Sequence, residues 1–176
     1  MKKFFSYAVA ALMGFVAITE LTACGGTGDE PTDDVPTNEV TGYRVRYTVT
    51  PGANLMEVAD VTLVYTDDTF ESTKSVALTA DQLDFVTDYP ASGKGKEITG
   101  EVFMAPKAGV TPDPEAKYAM GAEILIEVWT MYEEGEPTYM STILPQGSLM
   151  TFQGSKLGDL FERYSDKHIC FQSYKL

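Results

Sequence analysis

The chain reads YRVRYTVT from Tyr43 to Thr50, and Pro51 follows directly. Aromatic and aliphatic side chains alternate in this stretch with arginine and threonine, which is the period of two typical of a half-buried β-strand. Proline cannot donate the next hydrogen bond of a sheet, so the strand is expected to end at Pro51. The stretch predicts a sheet with one face in a hydrophobic core and the other face in water.

The same alternation recurs along the rest of the chain, from about residue 40 to residue 176. Further strands are predicted at Val61–Tyr65, Glu71–Leu78, Leu83–Tyr89, Ile98–Met104, Tyr118–Tyr132, Thr138–Leu144 and His168–Lys175. The acidic Gly-Pro turn at Glu133–Pro137 makes Thr138–Leu144 the hairpin partner of the long strand before it. Short strands with turns about every ten residues predict an all-β fold, an antiparallel β-sandwich, as a single domain over residues 40–176.

One apolar stripe with helical spacing interrupts the strands near the C-terminus. Its members lie at i, i+3, i+4 and i+7, and they are Leu157, Leu160, Phe161 and Tyr164. Ser155 is the predicted N-cap, and Asp159 and Arg163 have the i,i+4 spacing of an ion pair. We expect this short C-terminal helix to cover one open end of the core; the alternative is a docking face for a partner.

Residues 1–23 have the order of a signal peptide, with Lys2 and Lys3 before an apolar run that Glu20 ends. The run is shorter than the about 20 apolar residues that a membrane span needs. Leu21-Thr22-Ala23-Cys24 resembles the lipobox of bacterial lipoproteins. The resemblance implies cleavage before Cys24 and lipidation of Cys24, which would anchor the protein to a membrane. The alternative is ordinary cleavage near Ala23.

Residues 24–39 contain the lipidated Cys24 and a stretch rich in glycine, proline, threonine and acids. Such a composition cannot offset the entropy of ordering a backbone, so it predicts a flexible acidic tether. Gly25 stands where inner-membrane lipoproteins typically carry Asp, and Asp29-Glu30 resembles the export signals of surface lipoproteins. We expect an outer-membrane location, lipid-anchored and facing the cell surface.

Charge and composition exclude several classes of function. The 26 acidic and 13 basic residues give a net charge of −13, which is unfavourable for nucleic-acid binding. One histidine and two cysteines cannot form a four-ligand zinc site by themselves. His168 and Cys170 are predicted to share a strand face, but their spacing exceeds a hydrogen bond, so Cys170 is expected to be a packed thiol. We predict no cofactor and no metal site.

Acidic residues are the other candidates for catalysis or metal binding. Glu123 and Glu127 share a strand face but lie roughly 13 Å apart, which is beyond the usual separation of glycosidase carboxylates. Either glutamate could still pair with an acid from another strand, and Asp113 is the further candidate for such a hydrolase. Asp67-Asp68 or Asp113 would supply oxygen ligands to calcium, but the characteristic spacing of a calcium loop is absent. We therefore predict no catalytic residue and expect a protein that is not an enzyme.

Trp129 and Tyr139 are the candidate ligand-contact residues. Trp129 shares a strand face with Glu127 and Met131, and Tyr139 lies on the predicted partner strand. An exposed pair of this kind would stack on a sugar or a peptide. We expect Trp129 to be packed in the core, because lone large aromatic residues are usually buried.

The lipobox, the acidic tether, tyrosine-rich strands and a late helix before a final strand occur here in that order. Together they resemble the small uncharacterised outer-membrane and surface lipoproteins of Bacteroidetes, with Leu157–Tyr174 carrying most of the resemblance. It implies an immunoglobulin-like or transthyretin-like sandwich and nothing catalytic. We expect a non-enzymatic binding or structural module for an envelope protein or glycan. The alternatives are a small accessory hydrolase that uses cross-strand carboxylates and a structural subunit of a surface assembly.

Overall fold

The computed structural model describes residues 38–176. The predicted signal peptide, Cys24 and nearly all of the predicted tether lie outside the described residues. Residues 38–176 form ten strands: β1 (Val40–Pro51), β2 (Ala59–Thr66), β3 (Thr73–Leu78), β4 (Asp84–Pro90), β5 (Glu97–Pro106), β6 (Lys117–Met120), β7 (Ala122–Tyr132), β8 (Thr138–Gly147), β9 (Met150–Gln153) and β10 (Cys170–Lys175). Two short helices accompany them, α1 (Leu55–Val58) and α2 (Leu157–Arg163).

The strands form two four-stranded antiparallel sheets and one small sheet. The first sheet has the order β4-β1-β7-β8, and the second has the order β10-β5-β2-β3. Strands β6 and β9 pair with each other as a separate two-stranded sheet. The predicted all-β antiparallel sandwich is confirmed.

The alternation of apolar and polar residues in Tyr43–Thr50 determines how β1 lies in the first sheet. Tyr43, Val45, Tyr47 and Val49 are buried, whereas the arginines between them are exposed. The neighbouring β7 follows the same period, with its aliphatic residues from Ala122 to Val128 buried. Both strands therefore contribute one complete face to the core.

At Gly100 on β5, side chains of the first sheet lie directly against the backbone of the second sheet. A side chain there would press against Ile124 on β7, at 2.7 Å from its Cδ1 atom, and against the ring of Tyr47 on β1. Residues of the second sheet on both sides of Gly100, Ile98 and Val102, are fully buried. The glycine thus makes room in the second sheet for large side chains of the first.

The predicted single strand Tyr118–Tyr132 is wrong, because Gly121 divides it into β6 and β7. Gly121 has a φ of +108°, a left-handed conformation that side chains rarely adopt. A Cβ atom at this position would also collide with the carbonyl oxygen of Ser148. The chain can therefore leave one sheet and enter another at this residue.

The predicted C-terminal helix is confirmed as α2, which buries Leu157 and Leu160. The predicted N-cap is wrong, because a 3₁₀ turn at Gly154–Lys156 precedes the helix and Ser155 lies inside that turn. Helix α1 and strand β9 were not predicted from the sequence. Among the described residues, no helix has the length and apolar content needed to cross a bilayer.

Candidate functional site

A shallow groove lies on the outer face of the first sheet. Its lining consists of Arg44 and Arg46 from β1, Val86 from β4, Trp129 from β7 and Pro137 from the turn before β8. Its volume is about 260 Å³, slightly below the range of about 300–1,000 Å³ typical of pockets for drug-sized ligands. We call it the Arg-Trp groove.

Strand register brings the lining residues of the Arg-Trp groove together. Arg44 lies opposite Trp129 in the pairing of β1 with β7, and Arg46 lies opposite Val86 in the pairing of β1 with β4. These residues all occupy outward positions, because the alternate residues of the same strands fill the core. Three strands that are distant in sequence thus contribute to one surface.

The two ligand-contact residues predicted from sequence, Trp129 and Tyr139, are neighbours on the outer face. Their ring centroids are 5.9 Å apart and the ring planes are nearly perpendicular, at 72°. Tyr139 is 52% exposed, and Trp129 is partly buried. The expectation that Trp129 packs in the core is wrong, because the aliphatic residues on the opposite side of β7 fill that space.

Arg44 is held in a fixed orientation by Asp88 on β4. Its Nε and Nη2 atoms donate hydrogen bonds to the two carboxylate oxygens of Asp88, at 2.8 and 2.9 Å. These hydrogen bonds lower the pKa of the Asp88 carboxyl, so the pair is ionised at neutral pH. Because both side chains are nearly half exposed, the pair adds little stability and serves mainly to orient the guanidinium.

Arg46 is less constrained and has unused hydrogen-bond donors. Its Nη1 atom lies 3.7 Å from Oε2 of Glu127, and its guanidinium carbon lies 5.4 Å from the centre of the Trp129 ring. Within residues 38–176 no hydrogen bond holds its head group, although a guanidinium carries five N–H donors. The Arg-Trp groove therefore combines free donors, nearby carboxylate acceptors and an aromatic surface.

The expectation that His168 and Cys170 share a strand face is wrong. Strand β10 begins at Cys170, so His168 precedes it; its Nδ1 atom lies 3.4 Å from a carboxylate oxygen of Glu101. Cys170 is 4% exposed, and its thiol donates to the carbonyl oxygen of Gln146. Burial raises the pKa of this thiol, as expected for a packed cysteine.

The acidic candidates are not brought together. Glu127 faces Arg46, whereas the cross-strand neighbours of Glu123 are Thr50 and Gly147. Asp113 accepts a hydrogen bond from the backbone of Glu115, two residues further along its loop. In the described part of the chain, no group of three or more histidine, cysteine or acidic side chains is placed to hold a metal ion.

The predicted pair Asp67-Asp68 has structural partners. Asp67 is buried and accepts hydrogen bonds from the hydroxyl groups of Ser72, at 2.6 Å, and of Thr69, at 2.7 Å. These donors hold the pKa of Asp67 well below its usual range. Asp68 pairs with Lys74. Their oxygens thus organise the turn between β2 and β3.

Sequence reasoning did not identify the two arginines of the groove as site residues. Their outward positions on β1 could be read from the alternation, but the position of β1 beside β7 depends on pairing across more than 80 residues. Comparison with protein-family models, with curated proteins and with solved structures finds no match for this chain.

Proposed function

We propose that this protein is a lipid-anchored protein of the bacterial outer membrane whose β-sandwich is a non-enzymatic binding module. Cys24 is the attachment point, and the Arg-Trp groove is the binding site for a component of the cell envelope. The observation that carries this proposal is the grouping of Trp129, Tyr139 and Arg46 on the outer face of the sheet.

The entry of the chain into the sandwich supports this arrangement. Asn38 exchanges two hydrogen bonds with the backbone of Glu134 in the turn between β7 and β8, at 2.7 and 3.2 Å. Arg44 lies four residues beyond Val40, or about 13 Å along β1. The groove is thus on the outer face of the first sheet, near the N-terminal end of β1.

The lipid anchor is tested with Cys24→Ser in a bacterium that processes lipoproteins. The unchanged protein should partition into detergent and carry the added mass of a diacylglycerol and an acyl chain, because two or more chains give stable anchoring. The variant should remain in the aqueous phase without that mass. An unmodified Cys24 in the mature protein would refute the anchor.

The binding site is tested by retaining envelope components on the immobilised full-length protein. Trp129→Ala should lose a component that the unchanged protein retains, since large aromatic residues often dominate binding energy. Phe171→Ala is the matched control, because Phe171 is an exposed aromatic residue of the second sheet. Equal retention by the unchanged protein and Trp129→Ala would refute this site.

A structural subunit of a surface assembly is the second candidate, favoured by Leu144 on β8. This residue is 77% exposed at the edge of the first sheet, where apolar side chains promote association. Light scattering distinguishes the two functions: a subunit self-associates with increasing concentration, and Leu144→Ser reduces that association. A concentration-independent monomer would refute this candidate.

A further inference from the structure

We propose that the Arg-Trp groove binds a neutral saccharide, an inference that rests on the proposed binding function and specifies its ligand. The volume of about 260 Å³ is many times the space of about 10–15 Å³ that a single water molecule needs. That space suits a ring-sized group and its substituents.

The hydrogen-bonding groups around the groove favour hydroxyl-bearing ligands. Guanidinium groups only donate hydrogen bonds and carboxylates only accept them, whereas a hydroxyl group does both. The groove presents both kinds side by side, with Arg44 beside Asp88 and Arg46 beside Glu127. Neighbouring hydroxyls of a sugar ring are therefore able to use a donor and an acceptor at the same place.

The charge of the groove argues against an acidic ligand. Two arginines and two carboxylates sum to zero, and the whole chain carries a net charge of −13. An anion bound to Arg46 would also approach the carboxylate of Glu127, whose Oε2 atom is 3.7 Å from the arginine. The repulsion would offset much of the attraction, whereas a neutral ligand keeps both partners in use.

The aromatic groups supply the apolar part of the recognition. Tyr139 does not line the groove itself, but it meets the lining residue Trp129 edge to face. The two rings form an angled surface at the rim of the groove, against which the C–H face of a sugar ring can pack. Val86 and Pro137 extend this surface on the other sides of the groove. The result is the usual composition of a small-molecule site, an apolar lining with a few placed polar groups.

The chain offers a direct optical probe of this site, because Trp129 is its single tryptophan. The full-length protein, purified in a zwitterionic detergent without sugar groups, is titrated with neutral glycans of bacterial envelopes (capsular polysaccharides and O-antigen chains that lack acidic sugars) and with acidic ones (capsular polysaccharides that contain uronic acids). At least one neutral glycan should shift the Trp129 emission to shorter wavelength, and added salt should not change its affinity, because no net charge is neutralised.

Variants then test whether the response comes from the groove. Affinity electrophoresis in gels containing the responding glycan should show binding weakened about tenfold or more for Trp129→Ala and Tyr139→Ala, as for residues at the centre of a binding site. The Tyr139→Ala variant retains the fluorescent Trp129. Because Tyr139 is 52% exposed, this variant should fold as the unchanged protein does. Phe171→Ala should bind as the unchanged protein does.

The outcomes separate this inference from the proposed function. A response to acidic glycans alone, weakened by salt, overturns the neutral ligand and leaves the binding module standing. The neutral ligand is also overturned, and the binding module stands, if no glycan changes the Trp129 emission but an envelope protein is retained by the unchanged protein and lost by Trp129→Ala. If no glycan changes the Trp129 emission, and Trp129→Ala retains the same envelope components as the unchanged protein, both proposals are overturned.

Discussion

Tyr89→Phe should destabilise the protein more than Tyr47→Phe, although the two hydroxyl groups bond to each other. Their oxygens are 3.0 Å apart, and both residues are almost completely buried. The Tyr89 hydroxyl lies 2.6 Å from the carbonyl oxygen of Thr66, to which it donates. Because Tyr89 has one proton to donate, Tyr47 must be the donor in the bond between the two hydroxyls.

The direction of these bonds determines the magnitudes. Tyr47→Phe removes one hydrogen bond and leaves Tyr89 bonded to Thr66, so the expected cost is about 0.5–1.5 kcal/mol. Tyr89→Phe removes the partner of Thr66 and also leaves the Tyr47 hydroxyl buried without an acceptor. Each of these two orphaned groups costs about 1–3 kcal/mol, and we therefore expect a total of about 2–6 kcal/mol.

The double variant provides the decisive measurement. In the Tyr89→Phe background, Tyr47→Phe removes a buried donor that has no acceptor, so it should stabilise the protein by about 1 kcal/mol. The free energies of unfolding are measured in urea, followed by Trp129 fluorescence and by circular dichroism to check that the transition is two-state. If Tyr47→Phe destabilises in both backgrounds by the same amount, the inferred direction of donation is wrong.

Three further predictions concern positions outside the Arg-Trp groove. Hydrogen bonds from Ser72 and Thr69 lower the pKa of Asp67, so this carboxylate contributes stability above about pH 4 that is lost as the pH falls. In unfolding curves measured at several pH values, Asp67→Asn should reduce the loss of stability in acid, and an unchanged pH dependence would contradict this prediction. Gly121→Ala should destabilise the protein by more than the about 1–3 kcal/mol of backbone strain alone, because the new Cβ atom would also collide with Ser148. Gly135→Ala is the control for the strain alone, because Gly135 has a φ of +96° and open space around it. Equal shifts of the unfolding midpoint for the two variants would contradict the collision with Ser148. Cys170 is buried, and burial raises the pKa of its thiol. A thiol reagent should therefore label Cys170 slowly in the native protein and fast in urea, and fast labelling of the native protein would contradict this burial.

Period-two alternation predicts the faces of the strands but not their neighbours. It assigns Tyr43 and Val45 to the core and Arg44 and Arg46 to water, as the structure has them. It carries no information on the register that places Arg44 opposite Trp129. That register depends on packing between segments distant in the chain, so the candidate site was predicted only in its local part, Trp129 with Tyr139.

The break at Gly121 illustrates the same limit within a single segment. Tyr118 and Met120 on one side and Ala122 and Ile124 on the other are all buried, so the alternation passes through the break without interruption. Only the glycine signals it, and a glycine inside a strand pattern indicates several features, among them a bulge or a close backbone approach. The assignment of β6 and β7 to different sheets required the tertiary structure.

The outward position of Trp129 follows from the strand as a whole. Shifting β7 by one residue would bury Trp129, but it would also turn Glu123 and Glu127 into the core. Burying a large aromatic side chain gains about 2–3 kcal/mol, whereas each carboxylate without partners costs several kcal/mol. The exposure of Trp129 is therefore enforced by its own strand and is not by itself a sign of function. What makes the position a candidate site is the contribution of other strands, Arg46 from β1 and Tyr139 from β8, which the register of β7 does not require.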